Sequence, residues 1–142
     1  VLDQTCITYP ETYSREMSGG DIKNILEDVC DNLFNKDPYY QQGGDMVRVG
    51  GLDYVCDPLA PMGKRISEMT LNSGEKIHAS KSYKVSGWAT VGSQSPGADI
   101  WDVVAGYLRD QKVASVKKLN VPALKNAKGN PGLNNYSGKV IS

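Results

Sequence analysis

The sequence predicts an α+β domain, and three observations carry the prediction. Two stretches show helical apolar periodicity, several show strand alternation, and they follow one another as helix, strands, hairpin, strand, helix. In the first helix Ile22, Ile25, Leu26, Val29 and Leu33 recur at offsets 0, 3, 4, 7 and 11, which places them on one face. "SGGD" opens it in capping-box form, with Ser18 as N-cap and Asp21 three residues on. Pro38 ends it, because a residue before proline is pushed out of helical geometry.

"DMVRVGGLDYVCD" reads as a strand with an interruption, Val47 and Val49 on one face and Met46 and Arg48 on the other. Gly50-Gly51 suggests a bulge or a close backbone approach there. "RISEMTL" is a strand, "NSGE" a turn and "KIHAS" the returning arm of a hairpin. "YKVSGWATV" is a further strand that leads through "GSQSPGAD" into the second helix. There Ile100, Val103, Val104, Tyr107 and Leu108 recur at 0, 3, 4, 7 and 8, with Asp99 as the expected cap. Trp101 is expected in the core.

At 142 residues the chain suits one domain with a real core, and 15 glycines and 7 prolines point to many turns. No run approaches the roughly 20 apolar residues of a membrane span. The net charge of zero hides an asymmetry: residues 113–142 carry five lysines and no acid. Such a tail suits an acidic partner or a solvated extension. Its scattered lysines and lack of arginine argue against nucleic acid. The domain proper is therefore expected over 1–112, with 113–142 a basic, extended or flexible tail.

Chemistry is sparse. Cys6, Cys30 and Cys56 show no CxxC spacing, and any one pair of them could bridge in an oxidising compartment. His78 is the only histidine, too few for a usual zinc site, and is expected as an exposed strand residue. There is no phosphate-binding glycine loop and no nucleophile elbow. These residues describe a binding or specificity domain, with no catalytic residue and no metal ligand in this chain.

The candidate site is "YYQQGGDMVRVGG", residues 39–51. Arg48, bracketed by glycines, and the Gly43 and Gly44 amides would suit an oxyanion. Gln41 and Gln42 would add amide donors, and Tyr39 or Tyr40 would wall the pocket with Trp88; the set favoured is Gln42 and Asp45 as orienting groups and Tyr40 and Trp88 as walls. The bland alternatives are Arg48 paired with Asp45 or Asp53 on a sheet face, and Trp88 packed under the second helix.

Read together, "MSGGDIKNILEDV", "VGGLDYVCDPLAPMGKRISEMTLNSGEKI" and "KSYKVSGWATV" resemble the C-terminal domain of the 5′-nucleotidase superfamily, over roughly residues 9 to 110. Within it, "DQTCITYPETY", "EDVCDNLFNKDPYYQQGGDMVRVGG" and "GADIWDVVAGYLRDQK" resemble the SoxB-type thiosulfohydrolases of bacterial sulfur oxidation. The resemblance implies a mixed sheet with two main helices and an extended C-terminal tail. It also implies a larger periplasmic hydrolase, of which a chain opening at Val1 would be one piece. That enzyme would hold two manganese ions in an N-terminal metallophosphoesterase domain. It would release sulfate from a cysteine-S-thiosulfonate on the C-terminal arm of a carrier protein. Nucleotidases of this family hold the base between two phenylalanines, whereas this chain has only Phe34. The rival readings are a nucleotidase-type phosphohydrolase and a non-catalytic docking module.

Overall fold

A computed structural model describes residues 11–34, 39, 49–88, 97–115, 118–127 and 135–141, which form two units. One comprises Val1–Met17 with Ser82–Lys117, the other Ser18–Lys81 with Lys118–Ser142. The elements are β1 (Thr12–Ser18), α1 (Gly19–Phe34), β2 (Leu52–Cys56), β3 (Ile66–Leu71), β4 (Ser82–Trp88), α2 (Ile100–Gln111), β5 (Ala123–Lys125) and β6 (Val140–Ile141). Two helices beside mixed strand pairings make the α+β class expected from the periodicities.

The unit containing α1 is built on a four-stranded sheet in the order β3-β2-β5-β6. β2 pairs antiparallel with β3, from Leu52 opposite Leu71 to Cys56 opposite Ile66, and parallel with β5 through Val55 and Ala123. β5 in turn runs parallel to β6. Leu52, Tyr54, Val55 and Cys56 are all buried, as suits a strand inside a sheet with one face against a helix. Leu26 and Cys30 of α1 pack with Leu52, Tyr54, Cys56, Ile66 and Leu124 into one core cluster.

The start of α1 follows the predicted capping box. The Asp21 amide donates to Ser18 Oγ at 3.1 Å, and the Ser18 amide donates to Asp21 Oδ2 at 3.3 Å. Gly19 and Gly20 are there for room as well as for the helix start. Their amides donate to the Lys81 and Ala79 carbonyls, both at 3.0 Å. A Cβ on Gly19 would collide with the His78 carbonyl oxygen.

Three details differ from the periodicity reading. The buried face of α1 centres on Leu26, Glu27 and Cys30, while Ile25 is 42% exposed. The helix is rotated so that Glu27 can bond the β3 side and Cys30 can reach β2. The hairpin after β3 closes through the Leu71 and Glu75 backbones (2.8 Å) and Gly74 at φ 89°, but its returning arm is a single bridge at Lys76. His78 is exposed in a loop rather than on a strand, because the chain turns away there to meet Gly19.

The expected boundary at residues 112 and 113 does not coincide with the division into units. Parts of the extended tail are strands of the sheet: β5 lies beside β2, and Leu124 is 1% exposed. Leu124 and Tyr136 supply the apolar contacts that the lysine count conceals. Tyr136 donates its hydroxyl to the Pro122 carbonyl at 2.5 Å, and Lys118 pairs with Asp53 at 2.6 Å.

In the other unit β1 pairs with β4. Ser82 Oγ donates to Glu16 Oε2 at 2.6 Å, and Ser86 and Ser14 hydroxyls meet at 3.1 Å, forming a polar row. Tyr13 lies against Gly87, and the Arg15 guanidinium sits 4.9 Å from the Tyr13 ring centre. Asp99 occupies the N-cap position of α2 with extended backbone, but its side chain makes no capping bond. Its backbone is engaged instead in a bridge to Glu11. α2 buries no residue completely, so Trp101 is half-buried rather than core.

Candidate functional site

The predicted site residues Tyr40, Gln42, Gly43, Gly44, Asp45 and Arg48 lie outside the described residues. Trp88 is the last residue of β4. What the structure does describe are the two stems from which the 35–48 segment springs, and both are built into the core.

The first stem is α1. Glu27, 1% exposed, accepts bonds from the Gly63 amide at 2.8 Å and the Arg65 amide at 3.1 Å through Oε2, and from the Ile66 amide at 2.9 Å through Oε1. A carboxylate removed from water is tolerated where backbone N–H groups satisfy it in this way. Lys23 adds a weaker charge contact at 3.7 Å and donates to the Gly63 carbonyl at 2.9 Å. Arg65 donates from Nη1 to the Glu27 carbonyl at 3.3 Å and from Nε to the Ala60 carbonyl at 3.1 Å. α1 is therefore locked to the turn that enters β3.

The second stem is the entry to β2. Val49 packs on the core, and Gly51 has φ 88° with nothing within 4 Å of where a Cβ would stand. Gly51 is required by the sign of its φ, not by a close approach, which corrects one expectation for this pair. The Gly51 carbonyl accepts from the Asn72 amide at 3.1 Å.

A disulfide between Cys30 and Cys56 joins the stems, with both residues 0% exposed. It selects one of the three pairings that the sequence left open. For a sequence separation of 26 residues the loss of unfolded-state entropy is worth about 3.5 kcal/mol. The residues between the two cysteines include every predicted site residue except Trp88. Glu27 carried no signal beyond its place beside Leu26 in an apolar sector, and sequence reasoning missed it.

Electrostatic perturbation touches three groups among the described residues, on β2, in the tail and in the hairpin after β3. Burial pushes the Tyr54 hydroxyl up to about 12, with Tyr136 contributing, and burial also raises Tyr136. At the surface, a hydrogen bond from Lys81 at 2.5 Å holds the Glu75 carboxyl below its usual range. A shallow groove of about 610 Å³ runs along β3, lined by Lys23, Lys76 and Glu68 over Ile66 and Ile77. Glu68 stands at φ 53°, where the register of β3 against β2 slips. Among the described residues no group of three or more His, Cys, Asp or Glu could share a metal ion.

A model of the 5′-nucleotidase C-terminal domain matches residues 5–106. The chain belongs to that family. Among solved structures, the sulfate thiohydrolase SoxB of Thermus thermophilus, in complex with glycerol, is 38% identical, with a TM-score of 0.70 over 82% of this chain. The chain spans 22% of that protein's length. A Staphylococcus aureus protein assigned to the 5′-nucleotidases, in complex with alpha-ketoglutarate, is 13% identical, with a TM-score of 0.54 over 81% of this chain and 27% of its own. That second likeness is one of fold. Among curated proteins none matches the chain.

Proposed function

We propose that this chain is the substrate-recognition domain of a periplasmic SoxB-type hydrolase, which releases sulfate from a cysteine-S-thiosulfonate on a carrier protein's C-terminal arm. The observation that carries this reading is the 38% identity to a sulfate thiohydrolase, sustained over 82% of the chain. The Cys30–Cys56 disulfide fits an oxidising compartment. In this reading two manganese ions and the hydrolytic chemistry belong to an N-terminal metallophosphoesterase domain, and this chain supplies binding and orientation.

Arg48 is assigned the sulfonate, with the Gly43 and Gly44 amides as further donors and Gln42 and Asp45 as orienting groups. Tyr40 and Trp88 wall the channel for the arm. A guanidinium reads a tetrahedral oxyanion through paired N–H donors and needs no aromatic sandwich, in keeping with a chain whose one phenylalanine is Phe34. The test is made on the full-length protein, offered a carrier-arm peptide bearing the thiosulfonate and, separately, AMP. Sulfate release without AMP hydrolysis is expected, and Arg48→Ala should lower kcat/KM for the peptide roughly 10- to 100-fold with the fold intact. AMP hydrolysis without sulfate release would return the chain to the nucleotidases. Unchanged kinetics in the variant would remove Arg48 from the site.

A further inference from the structure

We infer that the Cys30–Cys56 disulfide is an oxidation-dependent lock between α1 and β2, so that this unit reaches its native arrangement only once the pair has been oxidised. Three observations point to it, each independent of the sulfur chemistry proposed above. First, the bond ties the interior of the long helix to the last residue of β2, a strand paired on both sides, and thereby closes the whole loop between them. Second, both sulfurs lie in the core cluster with Leu26, Tyr54, Ile66 and Leu124, so breaking the bond places two thiols where a covalent link organised the packing. Third, the polar attachments of α1 outside the disulfide run elsewhere: its first amides bond the Lys81 and Ala79 carbonyls, and Lys23 bonds the Gly63 carbonyl. Glu27 holds the helix to Gly63, Arg65 and Ile66, beyond the end of β2.

The chemistry balances with a disulfide-bearing oxidant. Two thiols give up two electrons and two protons, the S–S bond forms, and the oxidant leaves as two thiols or one dithiol. A dithiol reductant reverses the step. Because both sulfurs are 0% exposed, exchange requires the helix end and β2 to part first. The native oxidised form should therefore resist a reductant that acts readily on the unfolded chain.

The test uses the 142-residue chain in two preparations, one oxidised and one unfolded, reduced with dithiothreitol and returned to native buffer with the reductant present. Peptide mapping of the oxidised form should find Cys30 linked to Cys56, with Cys6 the one thiol that labels in denaturant. Hydrogen exchange at residues 26–30 and 52–56 should then be about 100-fold faster in the reduced form. Exchange in β4 and α2 should match in the two preparations. Cys30→Ser/Cys56→Ser should reproduce the reduced pattern and ignore dithiothreitol, while Cys6→Ser should behave as the unmodified chain. Failure of the reduced chain to regain this unit's structure would also support the lock. Three free thiols in the oxidised preparation, or equal exchange rates in the two forms, would overturn it.

Discussion

The two units spend their sequence differently. Among the described residues, every buried apolar side chain except Met17 belongs to the unit of α1 and the four-stranded sheet, as does the one buried acid, Glu27. The unit of β1, β4 and α2 is held by hydroxyl pairs, an aromatic ring against glycine and a helix with no fully buried residue. Yet both units were read from equally regular periodicities. Periodicity reports which face is apolar; it does not report how deeply that face will be covered. The first unit gained its depth from long-range links, namely a disulfide, a carboxylate collecting three amides, and a tail strand.

The strongest way to break that contrast is to remove Glu27. Glu27→Ala leaves the Gly63, Arg65 and Ile66 amides without their acceptor and opens a cavity, and should cost about 3 kcal/mol or more in denaturant unfolding. A loss under roughly 1 kcal/mol would mean that water replaces the carboxylate and that the turn entering β3 is not locked by α1.

A paired glycine test comes next. Gly19→Ala drives a Cβ into the His78 carbonyl, and Gly97→Ala drives one into the Thr12 carbonyl; both obstacles are backbone. Each should cost about 1–3 kcal/mol, the first relaxing less because it lies within the locked unit. Equal losses, read from thermal midpoints and hydrogen exchange, would show the units to be equally stiff.

The smallest effect sharpens the role of the tail. Tyr54 ionises at about 12 in the folded chain against 10.0 as a free side chain, so the folded form holds its proton more tightly. Its contribution is present in full below pH 10 and is lost as pH rises through 12. Thermal midpoints between pH 9 and 12 should fall more steeply for the unmodified chain than for Tyr54→Phe. Parallel slopes would mean that the tail does not keep this hydroxyl from solvent.

Local chemistry was the legible part. Ser18 and Asp21 announce their capping box within four residues, and the apolar runs of β2 and β3 announce strands. Long-range choices were not legible. Three cysteines permit three pairings, and nothing near Cys30 says that Cys56 is its partner. Glu27 looks like any acid beside an apolar stripe until Gly63 and Ile66 are brought to it. The tail's lysines suggested solvent, whereas Leu124 and Tyr136 decide its place. Of the candidate site, the stems and the end of β4 are described, while Tyr40 through Arg48 stand as a reading of residue chemistry and resemblance.

The most direct measurement is a chemical-shift titration of the labelled chain, first with a carrier-arm peptide bearing a cysteine-S-thiosulfonate and then with AMP. Shifts at Gly43, Gly44, Arg48 and Trp88 with the peptide, and none with AMP, are the predicted result. Shifts at those residues with AMP and none with the peptide would contradict the account.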